Sequence, residues 1–435
     1  MHKDSVNLLG MISYTASLAD NVSSKVRQLD LAKGRVMKCI KRVTDILDLK
    51  ACTDGVTEAL SEEDYETAAN HIHRYLKLDK ESLKLKSESA TDINEKNYLD
   101  HSFKLLQDAK TRLQQIVLEK YDLAQKAHDI PQLERFFKIF PLIGEAESGL
   151  VKFSAYLCSQ ISDAAEKNYQ LMCYTDQSDK RWNIMFADAL ILLFEKVARV
   201  IEAYQPVIET YYGHGHMFLF IKNIQKECDK QAVRILDKFR QVRKLGYIFS
   251  MVQQSIITNY PPPSNLHSSV SVSANLGSGG SKQQQLQQQQ QQQEERLDPR
   301  NLDDLLTELT LISARSELYK NFLLKSIQND INGGQLKQQQ LQQQQQQQLQ
   351  TGGDGGSEKS ASKIVLPKMS EVQAFINSCN LRCVIQELIG QYSTIENYFM
   401  TENMYKAIQM DANSSDSLTS SVVDDTFFII KKCIK

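Results

Sequence analysis

The chain has 435 residues, 41% of them apolar, and its 51 Lys and Arg nearly balance 53 Asp and Glu, giving a formal charge of −2. That length supports roughly two to four modules with hydrophobic cores of their own, while the near-neutral balance leaves no chain-wide basic field to attract nucleic acid by counterion release. Eight cysteines lie scattered rather than in the dense framework of a small secreted domain, which points to a reducing, cytosolic compartment.

The N-terminal stretch VNLLGMISYTASLA imitates a signal peptide, but Asn7, Ser13 and Thr15 interrupt it and Asp4 cancels Lys3. Apolar residues then recur at steps of three and four at Val26, Leu29, Val36, Ile40, Val43 and Leu47, which predicts one helical stripe. We expect this stripe to be a seam for a partner helix, in this chain or in another. Lys33 falls within it, and its charge must snorkel out.

A shorter apolar helix over DLKACTDGVTEAL pairs with the segment EALSEEDYETAANHIHRYLKLD as an αα-hairpin. Ser61 and Asp64 have capping-box spacing, so the second helix is expected to start near Glu62, with Glu62, Glu63 and Asp64 complementing the dipole of the first turn. Tyr65, Ala68, Ala69, Ile72 and Leu76 form its buried stripe. His71 and His73 point to opposite sides of such a helix, so the carboxylates and histidines here describe a helix rather than a metal site.

In DIPQLERFFKIFPLIG, Pro131 suits a first turn and Pro141 stops the helix. Leu133, Phe136, Phe137 and Phe140 crowd one face, and packing within the chain is favoured over a docking surface. A second stripe follows at Ala187, Leu190, Phe194, Val197, Ile201 and Tyr204. The surrounding apolar run carries Asp188, Glu195 and Arg199, so no membrane span is expected. His214 and His216 sit in GHGH after Pro206, a turn whose glycines supply positive φ and which has no local third metal ligand.

Residues 261–298 read as a disordered Gln/Ser/Pro-rich linker. A third stripe occupies 299–331 at Leu302, Leu305, Leu309, Ile312, Tyr319 and Leu323, and 332–363 read as a second linker rich in Gln and Gly. Cys379 and Cys383 lie one turn apart on an expected helix and read as buried small hydrophobes, with no second pair at zinc spacing. GSGGSK at 277–282 lacks the ending of a phosphate loop. No nucleophile elbow, zinc-hydrolase helix or kinase set occurs, so we expect no catalytic, cofactor-binding or metal-binding residues and no small-molecule substrate.

The sum is an all-α protein of helical bundles: a coiled-coil and hairpin region over 1–128, a bundle over 129–260, a helical segment over 299–331, and a bundle over 364–435. Two rival readings fit less well. A helical-repeat adaptor requires a fixed period of about 30 to 45 residues, which is not seen; a helical metal enzyme requires paired E-x-x-H motifs, which are missing.

The blocks NVSSKVRQLDLAKGRV, DILDLKACTDGVTEALSEEDYETAANHIHRYLKLD, IPQLERFFKIFPLIG, EAYQPVIETYYGHG, LTLISARSELYKNFL, VIQELIGQYSTIENYFM and SSVVDDTFFIIKKCI occur in one order across nearly the whole chain outside the glutamine-rich segments. In these the chain resembles the family of subunit 4 of the conserved oligomeric Golgi (COG) complex, a multisubunit tethering factor of the helical-rod class. The resemblance implies an elongated rod of these bundles, peripheral association, through the complex, with the cytosolic face of the Golgi, capture of retrograde intra-Golgi vesicles, and assembly with sister subunits through N-terminal coiled coils. It also implies engagement of SNAREs and of a Sec1/Munc18-type regulator. LLGMISYTASLADNVSSK looks like an interior family segment and SSVVDDTFFIIKKCIK like a point where the family continues. The chain is therefore expected to be a fragment or an incomplete gene model, with the bundle over 364–435 incomplete at its C-terminal end, and to lose the regulator contact if the family makes it through the preceding N-terminal region.

Overall fold

The computed structural model describes residues 2–78, 93–259, 297, 299–350, 366–413 and 422–433. Among them the regular structure is helical, without strands: α1 (His2–Ser61), α2 (Tyr65–Lys77), α3 (Ile93–Ala127), α4 (Ile130–Ile139), α5 (Ala146–Cys173), α6 (Met185–Val207), α7 (Met217–Val242), α8 (Leu245–Asn259), α9 (Pro299–Gln350), α10 (Met369–Ser378), α11 (Asn380–Asn413) and α12 (Val422–Cys433). A 3-10 turn, Trp182–Ile184, leads into α6, and a π turn, Ile208–Tyr212, follows it. Pro206 lies at that junction, where its missing N–H removes a rung of the helical ladder.

The chain divides into two compact units, neither of them one continuous stretch: residues 1–156, 204–220 and 328–367 form the first, and residues 157–203, 221–327 and 368–435 the second. The first unit therefore runs past the boundary expected at 128/129. Its core starts where the end of α1 packs on α2, with Leu49, Cys52, Val56 and Ala59 buried along with Tyr65, Ala68, Ala69, Ile72 and Tyr75. Leu99, Phe103, Leu106, Leu113, Val117 and Tyr121 line the buried face of α3 at helical spacing, and Phe103 meets Tyr75.

In the second unit the stripe Ala187, Leu190, Phe194, Val197 and Ile201 is buried, as are Leu302, Leu305, Leu309, Ile312, Tyr319 and Leu323. The two stripes meet at Phe194 and Tyr319, whose rings stack 4.4 Å apart, and Phe186 packs edge-on against Phe239 of α7 at 5.4 Å.

Four expectations are corrected. The apolar stretch from 48 to 60 is the end of the single 60-residue helix α1 rather than a separate short helix. Ser61 is the last residue of α1 and its hydroxyl donates to the Glu58 carbonyl. Glu63 turns through left-handed φ at 58°, so the cap of α2 is Asp64, which accepts from Thr67 N at 3.2 Å and from the Thr67 hydroxyl at 2.6 Å. Tyr75, not Leu76, completes the fully buried stripe of α2. Finally, α9 continues to Gln350, so residues 332–350 are helical rather than linker; glutamine is a fair helix former and no proline intervenes. The rest of that expected linker, and the linker at 261–298 apart from Leu297, lie outside the described residues.

Candidate functional site

The surface that sets this molecule apart is the first part of α1. Val26, Leu29, Val36, Ile40, Val43 and Leu47 are 50 to 69% exposed, so no helix of the described chain covers them. The residues by which α1 joins its own unit, Leu49, Cys52, Val56 and Ala59, project about half a turn round the helix from that stripe. The seam is thus not an extension of the intramolecular interface. Upstream, Leu8, Met11, Leu18 and Val22 are also 52 to 69% exposed and fall in line with it. One step of four, from Val22 to Val26, interrupts the alternation of three and four in the manner of a coiled-coil stutter. Sequence reading missed this upstream half, although its spacing carries the same signal once Thr15 is accepted as a seam position.

Leu133, Phe136, Phe137 and Phe140 are placed differently: each is at most 4% exposed. Asp129 caps α4 by accepting from Gln132 N at 3.2 Å, and Pro131 occupies its first turn. Phe137 lies between Phe153 at 4.1 Å and Tyr212 at 4.6 Å, both stacked, while Tyr204 meets Phe153 edge-on at 4.9 Å and Tyr121 meets Phe140 at 5.7 Å. The Tyr212 hydroxyl donates to the Phe137 carbonyl at 2.7 Å, and that of Tyr204 to Glu134 at 2.9 Å. Burial pushes the pKa of both phenols far above the usual range, with the Glu134 carboxylate adding to the shift of Tyr204. Such phenols act as hydrogen-bond donors in a core, not as acid–base groups.

The histidines serve packing. The His71 ring fills the space where a side chain on Gly55 of α1 would otherwise sit, whereas His73 faces the Leu142 backbone and burial lowers its pKa. His214 and His216 do lie in a turn, with Gly213 at φ 83° and Gly215 at φ 97°. A distant carboxylate fixes this turn: Asp330, 1% exposed, meets His214 Nδ1 at 3.0 Å and accepts from Gly215 N at 2.9 Å. Gly333 and Gly334, one turn further along α9, leave room for His214 and Leu366; a Cβ there would come within 2.7 Å and 2.5 Å of them.

Cys379 and Cys383 depart from expectation. Cys379 is an extended residue between α10 and α11, half-buried, and Cys383 is exposed. Burial, with Asp229 adding, pushes the Cys379 thiol up to about 11, far from a reactive thiolate. Among the described residues no group of three or more His, Cys, Asp and Glu is placed to hold a metal, and no helix is long and apolar enough to cross a membrane.

The second unit contains a buried ion pair that the sequence does not announce. Glu308, 1% exposed, accepts from Arg243 Nε at 2.8 Å and from Phe186 N at 3.1 Å, so a carboxylate of α9 caps the start of α6. Arg243 also donates to the Trp182 carbonyl and lies 5.2 Å from that indole. A cleft of about 280 Å³ between α9 and α11 is lined mainly by Leu309, Ile312, Ile385, Leu388, Ile389 and Tyr392. Polar groups in this unit are engaged in cross-links between helices, such as Tyr319 to Gln225 at 2.7 Å and Arg240 to Glu387 at 2.7 Å.

Comparison with known proteins gives a consistent result. A family model described as COG4 transport protein, middle alpha-helical bundle, matches residues 135–435, and one described as conserved oligomeric Golgi complex subunit 4, N-terminal, matches residues 1–93. Conserved oligomeric Golgi complex subunit 4 of Bos taurus is 44% identical over 99% of this chain and 48% of its own length. The proteins of that name from Drosophila melanogaster and Dictyostelium discoideum are 32% and 30% identical, over 99% and 95% of this chain and 51% and 46% of theirs. The chain spans about half the length of the curated relatives it matches. No solved structure matches.

Proposed function

Because the chain belongs to the conserved oligomeric Golgi complex subunit 4 family, we propose that it is a non-catalytic subunit of a Golgi vesicle-tethering complex, acting in retrograde intra-Golgi transport. It works by binding: α1 lays its apolar seam against a helix of a sister subunit. The observation that carries this reading is the exposed stripe from Leu8 to Leu47 on a helix whose other face makes the intramolecular contacts. Ten apolar side chains left half or more in water forfeit roughly 1 kcal/mol or more each, which a partner helix recovers. Lys33, at one position of the seam, sets register at some cost in stability.

The same reading places the protein peripherally at the cytosolic face of the Golgi and gives the assembled complex, by family, SNAREs and a Sec1/Munc18-type regulator as partners. The test is co-purification of sister subunits with the chain carrying Leu29→Asp and Ile40→Asp. Loss of the sister subunits with unchanged helical content is expected; their full retention would refute the seam as the assembly surface.

A further inference from the structure

Charge on α1 is distributed in a way that assembly through the seam does not use. Residues 22–44 hold seven Lys and Arg against the one acidic residue Asp30, a formal +6 within a chain whose total is −2. A helix seated on the seam reads the positions that flank it, and between 25 and 44 those are Lys25, Asp30, Ala32, Met37, Cys39 and Thr44, nearly neutral in sum. Arg27, Arg35, Lys38 and Lys41 instead project from the opposite side and are exposed; Arg42 projects there too but is half-buried and engaged, next to the half-buried Asp45 on the same face. The four exposed cations form a ridge about 21 Å long on the part of α1 ahead of Leu49, on the side that from Leu49 onward packs into its own unit.

We infer that this ridge docks α1 on an anionic bilayer surface. An acidic protein helix is the competing occupant, and the ridge lacks what would hold one. Leu31 is the sole large apolar side chain among these four exposed cations, so a protein partner would be held by solvent-exposed ion pairs, each of which contributes little after the entropy of fixing two long side chains. A bilayer makes no such demand for fitted geometry. Its anionic headgroups are dense and mobile, and Lys and Arg within a Debye length of the surface each add attraction without packing. Ahead of Leu49 the helix presents four exposed cations on one side, and the seam on the far side stays available for a partner helix. This inference rests on the seam reading above for the direction in which the ridge faces.

The test is sedimentation of the 435-residue chain with vesicles of neutral phosphatidylcholine alone or with about a third phosphatidylserine, in about 0.15 M salt. Binding is expected to the anionic vesicles only, to weaken steeply in about 0.5 M salt, and to fall roughly a hundredfold in a variant carrying Arg35→Ala, Lys38→Ala and Lys41→Ala. Alanine is the best helix former, and a far-UV spectrum confirms that this variant remains helical. Equal binding to neutral vesicles, absence of binding to either, or retention of an acidic peptide but not of anionic vesicles overturns the proposal. A neutral seam variant, Leu29→Ser with Ile40→Ser, separates it from the assembly reading: vesicle binding is expected to persist while sister subunits are lost. If the seam variant abolishes vesicle binding and the ridge variant does not, the seam is the membrane-facing surface and the ridge assignment is wrong.

Discussion

Residues 8–47 of α1 and residues 133–153 use the same alphabet of Leu, Val, Ile and aromatic side chains to opposite ends. In the second region every large apolar group of the α4 stripe finds a neighbour in its own unit, and Phe137 is sandwiched between two rings. In the first, an apolar stripe at equally good helical spacing remains in water. Periodicity therefore says that a face is to be buried and is silent on which chain buries it. What separates the two is the helix's other side: α1 satisfies its own unit through Leu49, Cys52, Val56 and Ala59, leaving the seam with no role in the monomer.

The contrast yields a graded set of expectations. The largest effect belongs to the aromatic cluster, where Phe137→Ala is expected to cost about 3 to 5 kcal/mol in urea unfolding, because it removes two stacked contacts from a fully buried site. Close behind it, Arg243→Ala is expected to cost about 3 kcal/mol by leaving the Glu308 carboxylate buried without its cation. Glu308→Gln should cost somewhat less, about 2 kcal/mol, since the amide oxygen still accepts from Phe186 N while its NH2 faces the Arg243 donor.

The ion pair also has a pH signature. Burial raises the Glu308 pKa above 4.5 despite the lowering effect of Arg243. A raised folded-state pKa means that the native protein holds the proton more tightly than the unfolded chain. The associated stability is then complete below the unfolded value and is lost as pH rises through the folded one. Removing Arg243 lifts the folded value further, so the deficit of Arg243→Ala measured by unfolding should be greatest near neutrality and shrink as pH falls toward 4.5. A deficit that grows on acidification would contradict this placement of the charge. The smallest effect on the isolated chain is expected from Leu29→Asp with Ile40→Asp, within about 0.5 kcal/mol per site, because both side chains are exposed.

Much of this architecture was legible in the sequence. The stripes at Ala187–Ile201 and Leu302–Leu323 follow from spacing alone, because core-facing helices repeat their apolar residues at a period set by backbone geometry. The cap of α2 was misread by three residues because Glu63 adopts a left-handed turn that a glutamate does not signal. The pairs Glu308 with Arg243 and Asp330 with His214 join residues 65 and 116 positions apart, and no local pattern marks which of many carboxylates will be buried. Gly333 and Gly334 look like a helix end, yet the helix continues through them because His214 and Leu366 occupy the space of the missing side chains. Net charge misled in its own way: a chain total of −2 conceals the basic ridge of α1, visible only when charge is counted along one helix and sorted by face.

Hydrogen exchange over α1, compared between the isolated chain and the chain bound to its sister subunits, tests the central claim most directly. Amides of residues 8–47 should exchange fast in isolation, slowing by at least about tenfold on assembly, while those at Leu49–Ala59 stay protected in both states. Equal exchange of residues 8–47 in the two states would show that the seam is not where this subunit is held.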